Sequence, residues 1–280
     1  MHLRLMTDND VPLGMRLKQQ AGWNQLEADW RRMLAMQPDG CFLAEVDGAG
    51  VGTTVACVFD SVAWIAMVLV DAEVRGQGSG KALMMRALEF LDRQGVRSIR
   101  LDATPLGQPL YEKLGFAVEY TLIRYAGVLP VPADQSSSTA VQTAPRETWN
   151  DLVALDAAIN HTNRSKFLRT LFAENPTAVR LVSQADGIAG YLAVRPGCNA
   201  LQLGPCMASA EAGPLLLADA WRTYAGQRVF LDVPQQHAAA VRLAERMGLQ
   251  AQRQLVRMCR GPLVHEDAQR LWASSGPELG

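Results

Sequence analysis

Long hydrophobic runs, paired cysteines and an excess of either charge are what this 280-residue chain lacks. No apolar stretch approaches the ~20 residues that span a bilayer. The first ten residues already hold Arg4, Asp8 and Asp10, so no signal-peptide core is expected. Cysteines stand at 41, 57, 198, 206 and 259, an odd number with no CxxC spacing. That argues against a disulfide framework and a zinc site, and for reduced thiols in a cytoplasmic protein. No metal and no membrane partner are expected. A net charge of −1 provides no electrostatic footprint for nucleic acid. What is present, 49% hydrophobic and 20% charged residues, is the composition of one or two globular domains with a real core.

The most informative stretch runs from Trp64 to Leu91. Trp64 to Val70 is continuously apolar, as a strand covered on both faces would be. Arg75-Gly76-Gln77-Gly78-Ser79-Gly80-Lys81 follows. Leu83, Met84, Ala87, Leu88 and Leu91 then recur at helical spacing, and Gly95 is placed to end the helix. This order makes an anion cradle. Glycine N–H groups approach a ligand closely, and a helix start adds unpaired donors and a positive dipole end. Each such contact contributes about 0.3–2 kcal/mol, so several must act together. A Walker A loop is excluded, since Gly76 to Gly80 is one residue short and Ala82 supplies no hydroxyl. A Rossmann turn needs GxGxxG, whereas glycines 76, 78 and 80 run GxGxG.

Around this stretch the chain reads as alternating elements. His2 to Met6 suits a strand, and Asp8 to Gln20 a helix capped by Asp8. Asn24 and Glu27 form a capping-box pattern for a helix to about Met36. Strands are expected at Phe42 to Val46, Val51 to Phe59 and Ser98 to Asp102. A short helix through Leu114 opens on Pro109. Phe116 to Tyr120 and Thr121 to Tyr125 read as a closing hairpin.

Arg75, Gly78 and Gly80 resemble the (Q/R)xxGx(G/A) signature of the GNAT superfamily of acyl-CoA-dependent N-acyltransferases. A second motif, LDATPLGQPLYEKLGF from Leu101 to Phe116, resembles that family's strand and tyrosine-bearing short helix. The resemblance covers about residues 1–128. It implies that main-chain groups of Val68, Leu69 and Val70 pair with pantetheine and that an N–H there meets the thioester oxygen. It implies that Arg75, Gly76, Gln77, Gly78, Ser79, Gly80 and Lys81 hold the diphosphate of acetyl-CoA. Tyr111 would protonate the leaving sulfur as an amine acceptor attacks. Trp23 and Trp30 fall in the region bordering the acceptor groove; each stacks on substrate or packs in the core. Asn24 is a helix cap or a substrate ligand. Asp102 ends a strand beside the CoA channel or caps the next turn. Many members carry a glutamate on the central strand as base. Here that strand, Ala63 to Val70, has no carboxylate. Asp71, Glu45 or a residue from later in the chain would have to serve through water.

Leu129 to Thr139 is rich in proline and small polar residues and reads as a linker. Beyond it the pattern repeats weakly. Leu101-Asp102 is echoed by Leu231-Asp232, Lys113-Leu114-Gly115-Phe116 by Arg246-Met247-Gly248-Leu249, and Thr121 to Arg124 by Gln254 to Arg257. The expected architecture is α/β (α+β): two tandem GNAT-like domains, each a mixed, mostly antiparallel sheet flanked by helices. Residues 1–128 form the catalytic domain, 129–146 the linker and 147–280 a degenerate copy. The second copy has Glu211 and Pro214 where the cradle would be, and Ala244 in place of Tyr111. It is scaffold, completing a core or a homodimer surface, or it walls the acceptor groove. The expected activity is acetyl transfer to an amine of a small molecule or peptide. A longer acyl group, an oxygen acceptor, and a non-catalytic acyl-CoA sensor are the alternatives.

Overall fold

Thirteen strands join in one sheet in the computed structural model, which describes residues 1–132 and 140–280. The part of the linker from 133 to 139 lies outside the described residues. The first half runs β1 (His2–Leu5), α1 (Val11–Gln20), α2 (Glu27–Met36), β2 (Cys41–Val46), β3 (Ala49–Phe59), β4 (Val62–Val70), α3 (Ser79–Arg93), β5 (Ser98–Ala103), α4 (Gln108–Lys113) and β6 (Ala117–Val128). The second half repeats the order: β7 (Val141–Thr143), α5 (Trp149–Asn160), α6 (Ser165–Glu174), β8 (Val179–Gln184), β9 (Gly187–Arg195), β10 (Leu201–Ala208), α7 (Ala212–Thr223), β11 (Arg228–Pro234), α8 (Ala238–Arg246) and β12 (Gln250–Arg260). A last strand, β13 (Leu271–Ala273), follows. The sheet is mixed and mostly antiparallel, as expected. Only β4–β5 and β10–β11 pair in parallel among the described residues.

The two halves trade their closing strands. Strand order is β1-β2-β3-β4-β5-β12-β6-β11-β10-β9-β8-β7. No hairpin follows Phe116; Ala117–Val128 is a single strand. The antiparallel partner that the first half needs beside β5 comes from the second half as β12. In return β6 lies between β12 and β11. The repeat seen in the sequence places one arginine and one aspartate at each exchange. Arg124 Nε and Nη2 donate to Asp232 at 2.7 and 2.6 Å. Arg257 Nε and Nη2 donate to Asp102 at 2.8 and 2.9 Å. Both arginines are buried, and such pairs hold register because an unpaired charge there is costly.

Helices cover both faces. Leu83, Met84, Ala87, Leu88 and Leu91 of α3 are buried against β2, β3 and β4, which is the periodic face read from the sequence. On the opposite face α1 and α2 meet α5 and α6 in one shared core, with Trp30, Met33, Trp149, Phe167, Phe172 and Tyr191. Trp149 and Tyr191 each pack edge-on against Phe172. The second half's own core lies between its sheet and α7 and α8.

Candidate active site

The site begins with a fork between β4 and β5. They pair only from Val62 to Trp64, opposite Ser98 to Arg100. Beyond Trp64 a register shift in the β3–β4 ladder and a left-handed Met67 (φ 52°) turn β4 away. Such strain in a non-glycine residue costs of order 1–3 kcal/mol and persists where the surroundings hold it. Here Thr53 Oγ1 donates to the Met67 carbonyl at 2.9 Å. The side of β4 facing β5 is left as an open backbone edge, with donors and acceptors free for a ligand.

The glycine turn closes one end of the fork. Gly76 and Gly78 have φ of 78° and 91°, a region that L-residues enter only at a cost. Gly78 is the N-cap of α3 and no side chain caps it. The first helical bond runs from Ala82 N–H to the Gly78 carbonyl, so the amides of Ser79, Gly80 and Lys81 precede it without a partner among the described residues. The fork and the turn open into a cavity of about 890 Å³, within the range of small-molecule sites. Val68, Leu69, Val70, Arg75, Gly76, Gly78, Ser79, Gly80, Lys81, Tyr111, Asp102 and Trp23 all line it. Gln77 does not, and is exposed.

Tyr111 on α4 is buried, its ring packed near Phe116 with centroids 6.1 Å apart. Its hydroxyl has no hydrogen-bond partner among the described residues. Burial pushes its pKa up to about 12, so it stays protonated at neutral pH. Arg75 Nε donates to the Val70 carbonyl at 3.1 Å, which ties the turn to the end of β4.

Two of the residues assigned to the acceptor region lie elsewhere. Trp30 is fully buried in the core shared by the two halves and does not reach the cavity. Its place in the first two turns of α2 faces α1, where Gly14 leaves room for the ring. Asn24 is neither a helix cap nor a cavity residue. Its Nδ2 donates to the Ala200 carbonyl at 3.0 Å, and its Oδ1 accepts from the amides of Asn199 and Ala200. It is a latch between the halves. The cap of α2 is provided by Asp29, which accepts from the Leu26 amide at 2.7 Å. Asp8 likewise does not cap α1; Asp10 accepts from the Thr7 amide and pairs with Arg4. Asp102 lines the cavity, but its carboxylate is held by Arg257 rather than by the next turn. Of the acids considered as bases, Asp71 is held by Arg16 and Glu45 by Arg4, and neither lines the cavity.

Sequence reasoning missed the residues that the second half contributes. Arg253 and Leu255 reach the cavity from β12, and Pro277 and Glu278 from the tail after β13. Gln25 joins them from the first half. The only hints were the echoed Arg and Asp positions, which are the marks of the strand exchange.

In the second half the matching fork is filled. β10 and β11 pair in parallel only from Leu201 to Leu203. β13 then lies against β10 and contacts β11. Trp272 sits over Gly213 at the start of α7, so close that a Cβ there would fall 2.0 Å from the ring. Its ring also meets His237 at 4.5 Å between centroids.

Comparison with known proteins finds the same fold and two family matches. A model described as the acetyltransferase (GNAT) family matches residues 12–116, and one described as an acetyltransferase (GNAT) domain matches residues 152–273. Holothin acyltransferase of Pseudoalteromonas sp. (strain SANK 73390) is 24% identical over 92% of this chain and 87% of its own. The uncharacterized N-acetyltransferase YitH of Bacillus subtilis (strain 168) is 26% identical, over 80% of this chain and 79% of its own. Among solved structures, a candidate acetyltransferase from Pyrococcus horikoshii superposes with a TM-score of 0.85 at 22% identity, covering 100% of this chain and 95% of that one. A tandem GNAT protein from the clavulanic acid biosynthesis pathway gives 0.65 at 16% identity, covering 94% and 99%.

Proposed function

Because this chain belongs to the GNAT acetyltransferase family and carries two GNAT domains, we propose that it moves an acetyl group from acetyl-CoA to an amine by direct attack in the fork of the first half. The observation that carries this reading is the convergence on one cavity of the uncapped start of α3, the open edge of β4 and the protonated Tyr111.

Each part has a task. Amides from Gly76 to Lys81 and the dipole of α3 take the diphosphate. Backbone groups of Val68, Leu69 and Val70 along the open edge, other than the Val70 carbonyl that Arg75 holds, take the pantetheine, and an amide there stabilises the developing oxyanion. The neutral amine forms its bond to the thioester carbon, the carbon–sulfur bond breaks, and Tyr111 hands its proton to the sulfur. General acid assistance of this kind contributes about 10²–10⁴-fold. The second half does not bind a second acyl-CoA in this reading, since its own β13 and Trp272 occupy the fork. It serves the first half by closing the cavity wall.

The test is acetyl-CoA itself. At 100 times its dissociation constant it should stabilise the fold by about 2.7 kcal/mol, read as a rise in melting temperature. Amine panels with free CoA as the readout should then show turnover. A protein whose melting temperature ignores saturating acetyl-CoA would refute the assignment.

A further inference from the structure

The acceptor end of the cavity carries two unmatched polar groups of opposite kind. Arg32, Arg100, Arg124, Arg164, Arg195 and Arg257 are all buried, and each has a carboxylate partner. Arg253 has none among the described residues, and its Nε is buried without any hydrogen bond. The side chain is part-buried, and that burial together with the charge of Arg124 presses its pKa down. Asp232, whose charge acts on it, is already held by Arg124 on both oxygens. A register shift in β12 between Ala251 and Arg253 puts Arg253 on the cavity side with Leu255. Bulges commonly re-aim a side chain in this way at functional sites.

The same cavity holds the opposite lack. Glu278 is buried and lines the same cavity. One of its oxygens accepts from Arg195 Nη2 at 3.0 Å, the other from Gln25 Nε2. That bond fixes the Gln25 amide, whose Oε1 is left buried with no donor. A carbonyl oxygen without a donor among the described residues, set beside a carboxylate, suits an ammonium or amine; a guanidinium without a carboxylate suits an anion.

Resting on the acyl-transfer reading above, we propose that the acceptor is a small amine bearing its own anionic group, a carboxylate or a phosphate, with the anion on Arg253 and the amine at Glu278 and Gln25. The step balances without an added reactant. Nitrogen bonds to the acetyl carbon, sulfur leaves with the Tyr111 proton, and the surplus proton on nitrogen passes to Glu278. The second half thus decides which amine is acetylated.

The experiment compares matched acceptors with acetyl-CoA, following acetyl-amine formation by mass. One arm holds amino acids and one holds aminoalkyl phosphates. Each is set against its neutral mate, the amino acid amide or the amino alcohol. At least one anionic arm should exceed its neutral mates by tenfold or more in kcat/KM. Arg253→Met should bring that ratio close to one through KM of the anionic acceptor, with KM for acetyl-CoA and the melting temperature unchanged. Arg253→Lys should restore part of it. Glu278→Gln should lower kcat at neutral pH with KM for acetyl-CoA unaltered. Equal use of neutral mates, or a ratio that survives Arg253→Met, overturns the proposal. So does a protein stabilised by acetyl-CoA that acetylates no anionic member, which leaves the acyl-CoA reading standing. A protein that acetyl-CoA does not stabilise overturns both.

Discussion

Replacing Tyr111 by phenylalanine removes a single oxygen from the cavity, and the surroundings say what should follow. The ring keeps its packing near Phe116, and no group loses a hydrogen-bond partner. A deletion that orphans nothing is close to neutral, so the fold should lose less than about 0.5 kcal/mol. Catalysis should suffer far more. Losing general acid help of about 10²–10⁴-fold corresponds to roughly 2.7–5.4 kcal/mol of barrier at 1.36 kcal/mol per decade. The loss should fall on kcat, with KM for acetyl-CoA little changed, since the hydroxyl acts on the sulfur only as it leaves. The assay is CoA release followed with a thiol dye. The exposed Cys198 sets a protein blank, whereas the other four cysteines are buried. Because the Tyr111 pKa is pushed up to about 12, the wild-type rate should show no loss from this group up to about pH 11. A Tyr111→Phe enzyme that keeps kcat within twofold would remove the acid from the mechanism, whatever its affinity for CoA.

Three further outcomes follow from the packing. Arg257→Met leaves Asp102 buried without its guanidinium, while Glu266 keeps Arg100, which should cost about 3–5 kcal/mol; a urea-unfolding loss below 1 kcal/mol would show that the exchange does not depend on the pair, and pairing the change with Asp102→Leu should recover part of the loss. Trp272→Ala empties the second fork and should cost about 3–5 kcal/mol in a single thermal transition, with two separated transitions as the contrary result. Acid should also weaken the fold. Burial alone would raise Glu266, but Arg257 and Arg100 hold its carboxyl well below the usual range, and a hydrogen bond from Arg4 lowers Asp10 to about 2. Carboxyls depressed in the folded state contribute stability that is complete above the ordinary value near 4 and drains as pH falls towards 2. Urea midpoints at pH 6, 4 and 3 should fall in that order, and a flat series would contradict the assignment.

The glycine-turn end of the cavity was legible because its physics is local. A buried strand, a glycine turn and an amphipathic helix announce themselves within 30 or so residues, and Trp64 to Leu91 folds as read. Tyr111 followed from a short motif on the next helix. The end lined by Gln25, Arg253 and Glu278 was not legible, because it is assembled from residues far apart in the chain. Asn24 and Glu27 have the spacing of a capping box, yet Asn24 serves Asn199 and Ala200, a contact that no local pattern encodes. Trp30 is as apolar as a stacking platform must be, and equally suited to the core that it joins. Phe116 to Tyr125 looked like a hairpin because the first half needs two closing strands; the second one arrives from residues 250–260. Arg253 and Glu278 came into view only with that exchange.

Strands β6 and β12 also determine how this protein is able to move. Each is bonded on both sides across the junction of the halves, so backbone ladders would have to break for one half to swing from the other. Opening and closing by a hinge between them would therefore cost those ladder bonds. The segment from Ser274 to Gly280 is almost wholly buried and is tied to Asp232, Arg164 and Arg195, which leaves side-chain motion at the mouth as the expected way in.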